Sequence, residues 1–132
     1  MLFRSKFLMI ACWSGVGAVT RAPVGIWRAI PETRALFIDA MAEIITLARA
    51  RGVTLPDNAA TATLAFIDSS PPNAMASMQR DIAEGRPSEL EAQCGAVVRL
   101  GRESNVPVPS HTFMHAALLP LERRARNEVT FV

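Results

Sequence analysis

The chain has 132 residues, of which 50% are hydrophobic and 20% are charged, and its formal net charge at pH 7 is +2. This length and apolar content predict one domain with its own core, or one half of a two-domain protein, and argue against a disordered chain. The 14 basic and 12 acidic side chains are scattered along the sequence, so the charge pattern indicates neither a nucleic acid partner nor an acidic one.

The first apolar run extends from Phe7 to Val19 and predicts a helix that is buried on several sides. Because this run is shorter than the about 20 residues that cross a bilayer, we expect no membrane partner. Arg4 and Lys6 precede the run, so a secretory signal over residues 1–22 stays open as an alternative. Against that alternative, small residues interrupt the run and no clean cleavage site follows it.

A second long helix is predicted to begin at Pro31, a residue type favoured at the first helical position, and to end at Gly52. Asp57 or Asn58 is expected to cap the next helix, and the Ser/Pro-rich residues 69–73 are expected to end it. Apolar residues recur along the second helix at helical spacing, namely at Leu36, Phe37, Ala40, Met41, Ile44, Ile45 and Ala48.

A short helix is predicted over residues 74–84, and the sequence Ser88-Glu89-Leu90-Glu91 that follows matches a capping box. In such a motif Ser88 caps the next helix and Glu91 reaches back to the cap residue. Glu89 is then expected in the first turn of that helix, where the helix dipole favours its ionised form.

The last helix is expected to be capped by Ser110 and kinked at Pro120, and residues 123–132 are expected to form a loose tail. No segment shows the period-two alternation of a half-buried strand. Six helical stretches joined by links that contain Pro or Gly therefore predict an all-α domain, a multi-helix bundle over residues 1–122.

The two cysteines, Cys12 and Cys94, lie in apolar surroundings and are predicted to be buried free thiols of a cytoplasmic protein. The sequence has no C-x-x-C motif and no Cys/His cluster, so we predict no metal site. His111 and His115 lie one helical turn apart but lack a third ligand nearby. They are predicted to be surface or capping histidines rather than metal ligands.

Three segments carry motifs in the order in which one known family has them. The first is residues 6–25, which begin Lys6-Phe7-Leu8 and end Thr20-Arg21-Ala22-Pro23-Val24-Gly25. The second is residues 77–89, which begin Ser77-Met78-Gln79-Arg80-Asp81. The third is residues 95–109, which begin Gly95-Ala96-Val97-Val98-Arg99. Over residues 3–122 the chain resembles the C-terminal domain of ketopantoate reductase (2-dehydropantoate 2-reductase).

That family reduces ketopantoate to pantoate with NADPH, on the route to pantothenate, and pairs a Rossmann domain with a helical domain across a substrate cleft. The resemblance implies that Lys6 is the catalytic general acid. An ammonium group there would stabilise the negative charge that develops on the ketone oxygen and supply the proton. The resemblance also implies that Ser77 hydrogen-bonds substrate oxygens, and that Glu89 binds a substrate hydroxyl and keeps the lysine charged.

The chain departs from the family at three positions. The best-known members carry asparagines one and two turns after the lysine, where this chain has Ile10 and Ser14. Ser14 can still form a hydrogen bond with substrate, whereas Ile10 cannot. A further family asparagine falls near Cys94. These departures leave open whether the substrate is ketopantoate or another 2-keto acid.

No glycine-rich phosphate loop precedes Lys6, and the near match of residues 15–20 to a dinucleotide fingerprint lacks its third glycine. We therefore expect NADPH to bind only together with a Rossmann domain, supplied by a separate chain or by a longer protein of which this chain is a fragment. The competing hypothesis is a non-catalytic remnant, or a helical dimerisation module that forms a homodimer through the apolar face around its first helix.

Overall fold

The computed structural model describes residues 5–132, which form α-helices and, within that range, no strand. The helices are α1 (Ser5–Thr20), α2 (Val24–Trp27), α3 (Pro31–Ala50), α4 (Ala59–Ser69), α5 (Ser77–Ala83), α6 (Cys94–Glu103) and α7 (Pro109–Ala125). The predicted all-α bundle is confirmed, with one helix more than expected because α2 forms a single turn within a predicted link. Residues 1–4, including Arg4 of the secretory-signal alternative, lie outside the described residues.

Helix α1 is the central helix of the bundle and packs against α2, α3, α4, α5 and α7. Every residue from Ala11 to Ala18 is buried, which confirms the predicted buried helix. The stretch Gly15–Gly17 lies in the middle of α1 rather than in a turn between a strand and a helix. It therefore lacks the geometry of a dinucleotide-binding loop, whose glycines receive a pyrophosphate at a helix start.

The junction of α2 and α4 is held by the Arg28 side chain. Its Nη1 donates to the carbonyl oxygens of Ile67 at 2.7 Å and Ser70 at 2.8 Å, at the carboxyl end of α4. The last carbonyl oxygens of a helix have no hydrogen-bond partner inside the helix. A cationic side chain that donates to them also interacts favourably with the negative end of the helix dipole. Arg28 thereby fixes the end of α4 against α2.

The capping box predicted ahead of α6 is wrong. Helix α6 begins at Cys94, and residues 89–93 form turns rather than the first turn of the helix. The backbone N–H and the hydroxyl of Ser88 both donate to the Glu122 carboxylate on α7. Glu91 also bonds to α7 instead of reaching back to Ser88. The Ser88 hydroxyl oxygen still accepts the backbone N–H of Leu90 at 3.2 Å, but the reciprocal bond from Glu91 is replaced by its partner on α7.

The predicted cap of α7 is wrong for a similar reason. The helix begins at Pro109, and Ser110 lies inside its first turn rather than before it. The carboxylate of Glu43 on α3 accepts hydrogen bonds from the backbone N–H of Ser110 at 2.8 Å and of His111 at 3.1 Å. A carboxylate in this position satisfies two donors that the helix leaves free and complements its dipole. Helix α3 therefore caps α7.

The cysteines behave as predicted, but one histidine does not. Cys12 and Cys94 are buried free thiols, and burial raises the pKa of the Cys94 thiol to about 12, so it stays protonated at neutral pH. His111, expected at the surface or as a cap, is fully buried because it lies on the face of α7 that meets α3. Its Nε2 lies 3.0 Å from the carbonyl oxygen of Ala40, and burial lowers the pKa of the imidazole.

Helix α7 continues to Ala125, so it includes the first three residues of the segment predicted as a tail. Pro120 lies inside the helix. Over residues 5–132, each helix is too short or too polar to cross a lipid bilayer.

We predict that Glu43→Ala lowers the free energy of unfolding by about 2 kcal/mol, because two backbone donors at the start of α7 lose a charged acceptor. Urea denaturation would measure this loss. Asp39→Ala is the matched control, since Asp39 is an exposed carboxylate on the same helix, and it should change the free energy of unfolding by less than about 0.5 kcal/mol. Equal losses in the two variants would contradict the capping role of Glu43.

Candidate functional site

A cavity of about 390 Å³ opens beside α1, between the end of α4 and the segment that leads into α5. It brings together two of the predicted substrate-binding residues, Ser14 from α1 and Ser77 from the start of α5. Its remaining lining residues are almost all apolar, namely Met9, Ile10, Trp13, Phe66, Pro71, Ala74, Met75 and Ala76, with Ser70 as a further polar group.

Two aromatic rings form one wall of the cavity. Trp13 of α1 and Phe66 of α4 meet edge to face, with ring centroids 6.2 Å apart and an interplanar angle of 61°. Phe66 is 51% exposed although it is large and apolar, whereas Trp13 is only 8% exposed. The exposed half of Phe66 is therefore the ring surface that a further apolar or aromatic group can cover.

The predicted catalytic residue lies on the same face of α1 as the cavity. Lys6 precedes Ile10 by one turn and Ser14 by two, so the three side chains are stacked along one side of the helix. Four residues of helix rise about 6 Å, which places the start of the Lys6 side chain one turn beyond the cavity. Lys6 itself is exposed in the first turn of α1 and does not line the cavity.

Two polar groups beside the cavity have no hydrogen-bond partner among residues 5–132. The side chain of Ser14 makes no hydrogen bond there although the residue is only 1% exposed. The indole Nε1 of Trp13 is also buried and unpaired. Buried polar groups in folded proteins nearly always have partners. Of these two, the Ser14 side chain lines the cavity and is available to a bound ligand, whereas the Trp13 Nε1 atom is closed off from it.

Helix α5 approaches α1 most closely where Gln79 meets Gly17. The side chain of Gln79 lies directly over Gly17, so that a Cβ atom at this glycine would come within 2.9 Å of the amide carbon of Gln79. Gln79 is buried, and its Nε2 donates to the carbonyl oxygen of Ala22 at 3.0 Å in the turn after α1. The contact sets the position of Ser77, two residues earlier on α5.

The segment between α4 and α5 is held in place by backbone contacts with α2. The N–H groups of Val24 and Gly25 donate to the carbonyl oxygens of Ala74 at 3.1 Å and Pro72 at 2.9 Å. A Cβ atom at Gly25 would lie 2.8 Å from the backbone of Pro72, so only glycine permits this approach. This contact holds the outer wall of the cavity.

Glu89, the third predicted substrate-binding residue, does not line the cavity. It lies exposed in the turns that precede α6, so its predicted position in the first turn of that helix is wrong. No ion pair joins Glu89 to Lys6 within the part of the chain that the structure describes, residues 5–132. The structure therefore brings Ser14 and Ser77 together and leaves Lys6 and Glu89 at separate exposed positions.

The turn that carries Glu89 is anchored by two residues near the end of α7. The buried carboxylate of Glu122 accepts the backbone N–H of Ser88 at 3.0 Å and pairs with Arg126 Nε at 2.7 Å. Arg126 in turn donates to the carbonyl oxygen of Ser88 at 3.1 Å. Burial raises the pKa of the Glu122 carboxyl, but the hydrogen bonds from Ser88 and Arg126 outweigh burial and hold this pKa below its ordinary value.

Sequence reasoning missed the residues that position the site. Gln79 stands in the quoted motif that begins at Ser77, yet only the packed structure shows that it covers Gly17. Phe66 has the pattern of an ordinary core residue of α4, and its exposure is the signal that sets it apart. Glu122 carries no local signal, because it lies 34 residues from the serine that it binds.

We predict that Gly17→Ala destabilises the protein by about 1–3 kcal/mol, because the added methyl group overlaps the constrained Gln79 side chain and forces α5 away from α1. Thermal or urea unfolding would measure this effect. The control is the same substitution made in a Gln79→Ala background, where the side chain that the methyl group would overlap is absent. There Gly17→Ala should change the free energy of unfolding by less than about 0.5 kcal/mol, and a loss as large as in the parent would contradict the account.

A second prediction concerns pH. Because the pKa of Glu122 is lower in the folded chain than its ordinary value of 4.5, its stabilising contribution is complete above that value and disappears as the pH falls through the folded-state pKa. The difference in unfolding free energy between the parent and Glu122→Gln should therefore be constant near neutral pH and shrink as the pH falls below 4.5. A difference that is independent of pH would show that the carboxylate charge is unimportant.

Comparison with known proteins places this fold in a recognised group. Residues 3–122 match the family described as "Ketopantoate reductase PanE/ApbA C terminal". A 2-dehydropantoate 2-reductase of Caulobacter vibrioides is 30% identical over 86% of this chain and 39% of its own length. One from Pyrobaculum aerophilum is 28% identical over 79% of this chain and 38% of its own length.

A solved structure agrees with these sequences. The PanE/ApbA family ketopantoate reductase from Ralstonia eutropha JMP134 superimposes with a TM-score of 0.84 at 30% sequence identity, over 92% of this chain and 41% of that one. This chain spans about two fifths of the length of each curated relative that it matches. The match over residues 3–122 and the shared helical architecture establish that the chain belongs to the family of ketopantoate reductase C-terminal domains.

Proposed function

We propose that this chain is the substrate-binding and catalytic half of an NADPH-dependent 2-keto acid reductase, and that it works together with a Rossmann domain that binds the cofactor. The proposal is supported by the names of its relatives, 2-dehydropantoate 2-reductases. The main structural observation in its favour is that Ser14 and Ser77 line one cavity, on the side of α1 where Lys6 also lies.

The described residues do not themselves fit the cofactor. A nucleotide pyrophosphate is bound by a glycine-rich turn at the start of a helix, and the candidate glycines of this chain lie inside α1 instead. NADPH binding is therefore assigned to a domain other than residues 5–132. The roles that follow concern only this chain's own side chains.

Lys6 is proposed as the general acid. When a ketone is reduced, negative charge develops on its oxygen, and a nearby ammonium group stabilises that charge and supplies a proton. Lys6 is the only lysine in the chain, and its exposure at the first turn of α1 leaves its amine free to meet a substrate in a cleft between two domains. No other side chain of residues 5–132 can supply an ammonium group there.

Ser14 and Ser77 are proposed to hydrogen-bond the substrate oxygens, since both hydroxyl-bearing residues line the cavity. Glu89 is proposed to bind a substrate hydroxyl and to keep the lysine charged. Glu89 does not contact Lys6 in this structure, so its role requires the substrate, or the second domain, to bridge the two exposed side chains. We further propose a cytoplasmic location, as expected for the family.

The test joins this chain to the N-terminal part of the Caulobacter relative and follows NADPH consumption with a 2-keto acid. Lys6→Ala should lower kcat by about 10²- to 10⁴-fold, because both the proton and the charge are lost. Arg123→Ala is the matched control: it removes an exposed cation that lies on α7 instead of α1, and it should leave kcat unchanged. Glu89→Gln should mainly raise KM. Turnover that persists in Lys6→Ala would reject the catalytic role, and absence of any turnover in the joined parent would favour the non-catalytic module.

A further inference from the structure

The residues that line the cavity indicate which substrate side chain it can bind, a point on which the family resemblance is silent. We infer that the cavity beside α1 binds the side chain of the substrate, and that the preferred 2-keto acid has a large apolar side chain, with an aromatic ring the best fit. This inference rests on the proposed function and specifies the substrate class of the same site.

The first observation is the chemistry of the lining. Two aromatic rings, Trp13 and Phe66, and the apolar side chains of Met9, Ile10 and Met75 surround the cavity. Phe66 keeps half of its surface exposed at a position where it contacts Trp13 edge to face. A third ring can pack against such a pair with favourable geometry, and its burial removes apolar surface from water on both sides.

The second observation is the volume. The cavity measures about 390 Å³, within the range of sites that bury most of a small ligand. The methyl group of the smallest 2-keto acid would leave most of this space without contacts, and a side chain that leaves a gap forfeits the dispersion attraction of the lining atoms. A ring or a long branched chain contacts more of the lining than a methyl group does.

The third observation concerns polar side chains. Ile10 lies between Lys6 and Ser14 on the substrate-facing side of α1 and offers no hydrogen bond. A hydroxyl group on the substrate side chain, such as that of ketopantoate, finds no partner at Ile10, where the best-known family members carry an asparagine. An unpaired buried hydroxyl costs more than the apolar contacts of the same atoms return.

Polar side chains of the cavity suit the other end of such a substrate. The Ser14 side chain lines the cavity and has no hydrogen-bond partner among residues 5–132. Ser77 is available at the cavity wall and Lys6 one turn away. A carboxylate and keto oxygen directed toward Lys6 and the serines would leave the side chain directed into the apolar part.

The experiment uses the full chain and the indole N–H signals of its two tryptophans in ¹⁵N-resolved NMR. Trp13 lines the cavity, whereas Trp27 is fully buried against Phe37 and serves as an internal control. The probes are phenylpyruvate, ketopantoate, pyruvate, and 3-phenylpropanoate, which has the ring and the carboxylate but no keto oxygen. Phenylpyruvate should shift the Trp13 signal and not that of Trp27, with a Kd at least about tenfold below those of ketopantoate and pyruvate.

Two variants sharpen the test. Phe66→Ala should weaken phenylpyruvate binding by about two- to tenfold, since it removes one of the two rings. Phe113→Ala is the matched control, because Phe113 is a similarly exposed ring on α7 that does not line the cavity, and it should leave the Kd unchanged. Ile10→Asn should lower the ratio of the ketopantoate Kd to the phenylpyruvate Kd by about tenfold, because the asparagine can hydrogen-bond the hydroxyl group of ketopantoate.

Each outcome bears on the inference. Ketopantoate binding as tightly as phenylpyruvate, or the absence of a Trp13 shift with every probe at millimolar concentration, would overturn it. If 3-phenylpropanoate bound as tightly as phenylpyruvate, the apolar side-chain site would be supported but the proposed function would be contradicted, because keto-acid recognition would be missing. The failure of one proposal is thus distinguishable from the failure of the other.

Discussion

The contact between Gln79 and Gly17 determines how closely α5 approaches α1, and the cavity depends on that distance. The glycine leaves room for a buried amide side chain, and the same amide holds the turn after α1 through its bond to Ala22. Helix α5 is only seven residues long, and Gln79 and the fully buried Met78 are the residues that pack it into the bundle. Ser77 is therefore carried to the cavity by packing two residues away, not by interactions of its own.

The candidate site benefits from the burial of the helix that carries it. From Ala11 to Ala18, α1 is surrounded by other helices, so its side chains cannot rotate as a group. At the start of α1 Lys6 is exposed, and Ile10 one turn later is half-buried. A reactive side chain held on a rigid element keeps its direction relative to the binding cavity, which is the arrangement that catalysis requires.

The sequence predicted best where structure is determined locally. The long helix α3 follows from a proline at its start, a regular apolar spacing and Gly52 after its end, whose φ of +74° suits a glycine. The starts of α6 and α7 were misplaced because the groups that bind their flanking donors lie 34 and 67 residues away. No local pattern encodes such a partner. A similar limit applies to the site, where family motifs identified Ser14 and Ser77, while Gln79, Phe66 and Glu122 became visible only through tertiary packing.

The most direct test of the central claim is a crystal structure of the chain joined to a cofactor domain, with an aromatic 2-keto acid bound. The account predicts that the keto oxygen lies within hydrogen-bond distance of Lys6 Nζ, that Ser14 or Ser77 contacts the substrate oxygens, and that the ring packs against the exposed side of Phe66. A substrate bound away from α1, or Lys6 and the cavity directed to opposite surfaces of the cleft, would contradict it.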